Sequence, residues 1–206
     1  MSKENLIFGG LMAAGLAVLG AYYVSTLPAT AASHSEADGP GPNLEITVAG
    51  EANGTIVIDL LPDVAPAHVE QITTLAAEGA YDNVVFHRVI EGFMAQTGDV
   101  EFGVIGGDAR MAGRGGSDRP DLPAEFSDIP YERGIVGMAR AQNPNSANSQ
   151  FFIMFAEAPF LNGQYTVVGR VIEGMDVVDA IKRGNQAANG VVADSPDVMT
   201  SVRVTE

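Results

Sequence analysis

A mainly β fold is predicted from eight short β-type segments, turn signals between them, and only two stretches with helical spacing. Strands this short and this many either close into an antiparallel barrel or stack as a sandwich, and spacing alone leaves both open. The architecture expected is a closed antiparallel barrel capped by two α-helices and preceded by one N-terminal hydrophobic helix.

That first helix is residues 6–24, a run of 19 residues without a charge. As a helix it extends roughly 28 Å, close to the thickness of a bilayer core. It is apolar on all sides, which argues against a soluble amphipathic helix. The small residues Pro28-Ala29-Thr30-Ala31 suit a signal cleavage region, whereas Tyr22 and Tyr23 suit the interfacial belt of an anchor. Both readings export the rest of the chain and touch the membrane only through this segment. Residues 1–28 are therefore expected to be a signal peptide or membrane anchor. Residues 29–43, rich in Ala, Ser, Gly and Pro, read as a flexible linker, and 44–206 as the folded domain.

The strand candidates are 44–49, 55–60, 84–90, 93–97, 135–139, 151–155, 166–172 and 198–204. Asn53-Gly54 predicts a tight hairpin between the first two. Pro66 can open a helix, Val69, Ile72, Leu75 and Ala76 recur at helical spacing, and Gly79 can cap it, predicting a helix over 66–78. Met175, Val178 and Ile181 predict a second, with Lys182 and Arg183 in its last turn and Gly184 as cap. Residues 102–121 form a long loop with six glycines. Gly113-Arg114-Gly115-Gly116-Ser117 lacks the Gly-Lys-Ser/Thr ending of a phosphate loop and the three spaced glycines of a dinucleotide fold.

Composition removes several function classes. The 26 acidic and 11 basic residues give a formal charge of -15 with no basic cluster, which argues against a nucleic-acid partner. There is no cysteine, so disulfides, thiolate metal sites and a Cys nucleophile are excluded. His34, His68 and His87 have no metal-ligand spacing, and neither a metal nor another cofactor is expected.

Two segments carry chemistry. Val85-Phe86-His87-Arg88-Val89-Ile90-Glu91-Gly92-Phe93-Met94-Ala95-Gln96-Thr97-Gly98-Asp99 sets a cation and an amide in an apolar run. Gly137-Met138-Ala139-Arg140, continuing to Asn145-Ser146-Ala147-Asn148-Ser149-Gln150-Phe151-Phe152-Ile153, repeats the mixture of aromatic and amide residues. Both resemble the signature segments of the cyclophilins, the peptidyl-prolyl cis-trans isomerases inhibited by cyclosporin, and the resemblance runs from about Leu44 to Glu206. It implies the eight-stranded barrel, an isomerase acting on proline-containing polypeptides, and assistance to the folding of exported proteins in the periplasm.

The chemistry can be argued separately. Rotating an Xaa-Pro bond crosses about 18–20 kcal/mol of lost amide resonance, with no bond made or broken. A catalyst needs only a pocket that fits the twisted amide better than either planar form. Arg88 is the natural donor to the pyramidal prolyl nitrogen that exists near the twisted state, and it matches the catalytic arginine of the resemblance. Gln96 matches the glutamine that orients that arginine and the substrate backbone. Phe93, Met94, Phe152, Phe160 and Leu161 match the apolar pocket, with Phe151 more at home in the core. Ala139 and Arg140 match the segment that pairs with bound peptide, although relatives often carry Asn where Arg140 stands. Many eukaryotic relatives have Trp at Phe160 and His at Tyr165. Phe160 therefore lacks the indole donor used to hold cyclosporin, and weak binding of the drug is expected, while Tyr165 can still wall the pocket. One extra residue between Ala141 and Ser149 resembles the bacterial branch.

Two other functions compete with the isomerase. A non-catalytic module or holdase would capture proline segments in the same groove, but has no need of a donor such as Arg88. A serine hydrolase has no Gly-x-Ser-x-Gly elbow here, and His87 has no evident carboxylate to orient it.

Overall fold

The structure is a computed structural model, and it describes residues 38–108 and 110–206. The apolar run 6–24 lies outside the described residues. Among those described, no helix is long and apolar enough to cross a membrane.

Among the described residues, nine strands form one antiparallel sheet: β1 (Asn43–Ala49), β2 (Gly54–Leu60), β3 (Val84–Val85), β4 (Arg88–Ile90), β5 (Met94–Thr97), β6 (Ile135–Met138), β7 (Phe151–Met154), β8 (Val167–Glu173) and β9 (Val198–Thr205). Their order is β3-β9-β1-β2-β8-β6-β7-β5-β4. The two end strands, β3 and β4, are consecutive in sequence, so the curled sheet returns on itself through Phe86-His87. This corrects the expectation of eight strands, because the run 84–90 divides in two. The cause is non-local: Phe86 N–H donates to the Asp197 carbonyl, and the His87 carbonyl accepts from Val192 N–H. Each free edge is covered. The Gly103 carbonyl accepts from Val85 N–H and Ile105 N–H bonds the Asn83 carbonyl beside β3, while Gly184 and Gly190 bond to Val89 on β4.

The β1–β2 hairpin exists, but four residues separate its strands instead of a two-residue turn at Asn53-Gly54. Gly50 and Gly54 hold φ +148 and +149, and buried Asp197 accepts the Ala52 N–H at 2.9 Å within the loop.

Helix α1 (Pro66–Ala77) packs against β9 and buries Val69, Ile72, Leu75 and Ala76 as its spacing predicts. Its Ala65 N-cap has no side chain to offer. Glu125, remote in sequence, accepts the N–H groups of Ala67 and His68 at 3.2 Å each and the His68 Nδ1 at 2.6 Å. A carboxylate at the first turn also suits the helix dipole. Helix α2 (Met175–Ala180) packs against β2 and is shorter than predicted. Lys182 and Arg183 lie beyond it, because Lys182 N–H is taken by the Asp197 carboxylate. Gly184 is not its cap; a Cβ there would collide with the Gly190 carbonyl.

Two apolar clusters form the interior. The larger includes Phe151, Ile153 and Ala95, and the smaller includes Met94, Phe152, Met154, Leu161 and Tyr131. Alternate residues of β7 thus face different clusters, as strand geometry requires. The smaller cluster becomes the floor of a surface depression.

Candidate active site

β4, β5, β7 and β6 lie side by side, and Arg88 pairs with Gln96, Gln96 with Phe152, and Phe152 with Gly137. One row across four strands therefore presents a cation, an amide and an aromatic ring. Position 137 must lack a side chain, since a Cβ there would stand 2.7 Å from Phe152 Cζ. The ring instead lies over the glycine and stacks on Tyr131 with centroids 5.8 Å apart.

The depression above this row has a volume of ≈ 520 Å³ and gathers all ten residues expected from the sequence: Arg88, Phe93, Met94, Gln96, Ala139, Arg140, Phe152, Phe160, Leu161 and Tyr165. Met94, Phe152 and Leu161 are buried as a floor, whereas Phe160 is 70% exposed at the rim, in tilted contact with Phe93 at 5.5 Å. Tyr165 meets Phe152 edge-on at 5.9 Å and so walls the pocket.

Arg88 is held on three sides. Its Nη1 donates to Gln96 Oε1 at 3.1 Å, its Nε to the Asn189 carbonyl at 3.1 Å, and its Nη2 to Asn189 Oδ1 at 3.1 Å. Nη1 also touches the Met94 sulfur at 3.9 Å, a weak contact easily surrendered. A guanidinium has five N–H groups, so donors remain for a ligand over the floor. Burial pushes Arg88 below the usual arginine value, yet the group stays charged at any physiological pH. Behind it, Gln96 Nε2 donates to Gln150 Oε1 at 2.9 Å and Gln150 Nε2 to the Gly115 carbonyl at 2.8 Å.

Arg140 does not aim at the floor. It donates to the carbonyls of Gln164, Ala141 and Gln142 and covers the Tyr165 ring at 4.4 Å, bracing that wall. The Ala139 N–H is engaged by the Gln150 carbonyl at 2.9 Å.

A second depression of ≈ 440 Å³ shares Gln96, Ala139 and Arg140 with the first and is bordered by Gly113, Arg114, Gly115, Gly116 and Ser117. The glycine-rich loop thus forms a rim. Buried Asp99 accepts four backbone N–H groups, from Glu101, Phe102, Gly113 and Gly115. Asn148 Oδ1 accepts from both Ser117 N–H and its hydroxyl at 2.7 Å. Among the described residues no group of three His, Asp or Glu is placed to hold a metal ion.

Sequence reasoning gave no role to Gln150, Asn189 or Asp99. Asp99 closes the first motif, Gln150 lies inside the second, and Asn189-Gly190 is a turn dipeptide whose Asn takes φ +54, so each of the three left a trace.

The family model described as "Cyclophilin type peptidyl-prolyl cis-trans isomerase/CLD" matches residues 44–204. A probable peptidyl-prolyl cis-trans isomerase of Brucella suis is 65% identical over 147 residues, covering 70% of this chain and 74% of that one. Peptidyl-prolyl cis-trans isomerase B of Escherichia coli is 36% identical over 165 residues, covering 75% and 96%. Among solved structures, a cyclophilin from Hirschia baltica aligns with TM-score 0.65 at 27% identity over 80% of this chain and 74% of that one. A Cryptosporidium parvum cyclophilin-type isomerase, solved in the presence of the dipeptide Ala-Pro, aligns with TM-score 0.66 at 26% identity over 80% and 99%. With its row of Arg88, Gln96 and Phe152 over an apolar floor, the chain belongs to the cyclophilin-type peptidyl-prolyl cis-trans isomerases.

Proposed function

We propose that Arg88 is the catalytic donor of this isomerase, with the proline ring seated on Met94, Phe152 and Leu161. The carrying observation is the three-sided hold of Arg88 at the lip of an apolar floor. As the Xaa-Pro bond twists, its nitrogen becomes pyramidal and regains a lone pair. A guanidinium N–H aimed at that lone pair stabilises the twisted form and neither planar one, which lowers the barrier without chemistry on the peptide. Gln96 fixes the guanidinium and meets the substrate backbone, Phe93, Phe160 and Tyr165 wall the ring, and Ala139 and Arg140 flank the bound peptide. The test is the cis-to-trans rate of an Ala-Pro peptide with the purified full-length chain. Arg88→Ala is expected to lower kcat/KM by about 10²–10³. Peptide binding with no acceleration in the wild type would instead leave a holding module.

The clients are proposed to be exported polypeptides in the periplasm, met after the apolar run 6–24 has served as signal or anchor. Protease accessibility of the domain in spheroplasts tests this, and protection inside intact spheroplasts overturns it. Cyclosporin is expected to bind weakly, because exposed Phe160 has no N–H to donate. Phe160→Trp should tighten inhibition about fivefold, the worth of one hydrogen bond of about 1 kcal/mol.

A further inference from the structure

We propose that the groove beside the proline pocket selects polypeptide segments carrying a carboxylate close to the proline, through Arg114 and the field of Arg88 and Arg140. The proposal rests on the isomerase reading and adds a substrate class to it. Its basis is where the uncompensated cations lie. Six of the nine arginines sit within 3.2 Å of a carboxylate. The three that do not are Arg88, Arg114 and Arg140, and all three line the two adjoining depressions. Arg88 and Arg140 bond neutral acceptors only, amide and carbonyl oxygens and a thioether, so their charge is undiminished. Arg114 is exposed, and among the described residues its guanidinium has no hydrogen-bond or ion-pair partner. Lys182, the one described lysine, bonds the carbonyls of Asp194 and Ser195 and lines neither depression.

Against these three cations the linings contain one anion, Asp121, whose Oδ1 accepts from Asn148. Among the described residues, three of the four cations without a carboxylate partner thus lie around the binding surface of a molecule with formal charge -15, Lys182 being the fourth. Such a cleft, with low-dielectric walls, concentrates potential and draws the opposite charge. The guanidinium fork of Arg114 matches a carboxylate on two atoms. A chain leaving the proline pocket over Ala139 towards Gly115 passes within reach of Arg114, so the carboxylate belongs on that side of the proline. Acidic residues elsewhere on a client would be repelled by the outer surface.

The experiment compares kcat/KM for Ala-Pro peptides that differ only in carrying Glu, Gln or Lys at each nearby position on either side of the proline. The full-length chain is used at low salt and at ~1 M salt, where the screening length falls to about 3 Å. Expected is a preference for Glu over Gln, and Gln over Lys, of about three- to fivefold at positions on one side only, in keeping with an exposed pair, and erased at ~1 M. Arg114→Gln flattens the series, Arg114→Glu reverses it, and Arg110→Gln, in the same loop but outside the groove, leaves the ratio as in wild type. Equal values for the three peptides, or a preference for Glu that survives Arg114→Glu, overturn the acidic selection alone. Acceleration of no peptide overturns the isomerase reading and this one with it.

Discussion

The pocket proposed to seat proline and the polar groove share Gln96, Ala139 and Arg140, but their other walls are built on different principles. The pocket stands on four paired strands whose side chains alternate between two apolar clusters. The groove is walled by a glycine-rich loop with little apolar burial, and its shape is imposed by polar side chains reaching up from below, Asp99 and Asn148. Packing on strands fixes positions finely, as a donor aimed at one nitrogen demands. Hydrogen bonds to loop N–H groups fix a path while leaving its outward residues free to vary, which suits recognition of differing sequences. The two meet in the series Arg88, Gln96, Gln150, Gly115.

The largest effect that would break this contrast is that of Arg88→Ala. If the pocket carries the chemistry, kcat/KM falls by about 10²–10³ while urea stability is kept; a fall matched by Arg114→Gln on a peptide without acidic residues would erase the distinction. Next comes Asp99→Ala. Four backbone donors lose their acceptor, so stability is expected to fall by about 3 kcal/mol, with faster amide exchange concentrated at Gly113 and Gly115. Uniform exchange across the sheet would show that the loop is not separately held. Smaller still is Asn189→Gly, which keeps the left-handed backbone and the carbonyl but removes Oδ1 from Arg88. An expected drop of about fivefold in kcat with KM and melting temperature little changed marks Asn189 as a positioning residue; an effect on KM alone would not.

The smallest effect concerns Glu125, which tethers the segment beyond the loop to helix α1. Burial alone would push its carboxyl up, but hydrogen bonds from the His68 ring and from the N–H groups of Ala67 and His68 outweigh it and hold the carboxyl below its usual value. A carboxyl lowered in the folded state contributes stability that is complete above the unfolded value, near ~4.3, and is lost as pH falls through the lower folded one. The difference in urea midpoint between wild type and Glu125→Gln should therefore be full at pH ~6 and shrink below pH ~4. A difference unchanged in acid would mean that the side chain acts by its shape.

The strand-borne half of the site was legible because its signals are local. Arg88 and Gln96 face each other across a hairpin eight residues apart, and the aromatic residues belong to runs with plain strand character. What escaped depends on partners distant in the chain. Asn189 reaches Arg88 across 101 positions, and no periodicity announces such a meeting. The break at Phe86-His87 and the early end of helix α2 have one common source in Asp197, which bonds Phe86, Ala52 and Lys182 from the far end of the sequence. One buried aspartate, bonding Phe86 through its backbone carbonyl and Ala52 and Lys182 through its carboxylate, overrides local propensity at each of the three segments.

Strand β7 has a consequence for the fidelity of folding. Its four residues, Phe151, Phe152, Ile153 and Met154, are all apolar and all buried. A slip of one residue would exchange phenylalanine for phenylalanine and leave both clusters filled, so hydrophobic patterning cannot police the alignment. The check is polar and sits just before the strand. Ser149 donates its hydroxyl to the Gly98 carbonyl at 2.7 Å, its own carbonyl accepts from Tyr81 at 2.8 Å, and the Gln150 carbonyl holds the Ala139 N–H. Sliding β7 by one place would orphan these buried groups together. Ser149 and Gln150 thus act as the strand's proofreading mark, and a Ser149→Ala chain would be expected to populate misaligned, inactive sheets that look native by circular dichroism.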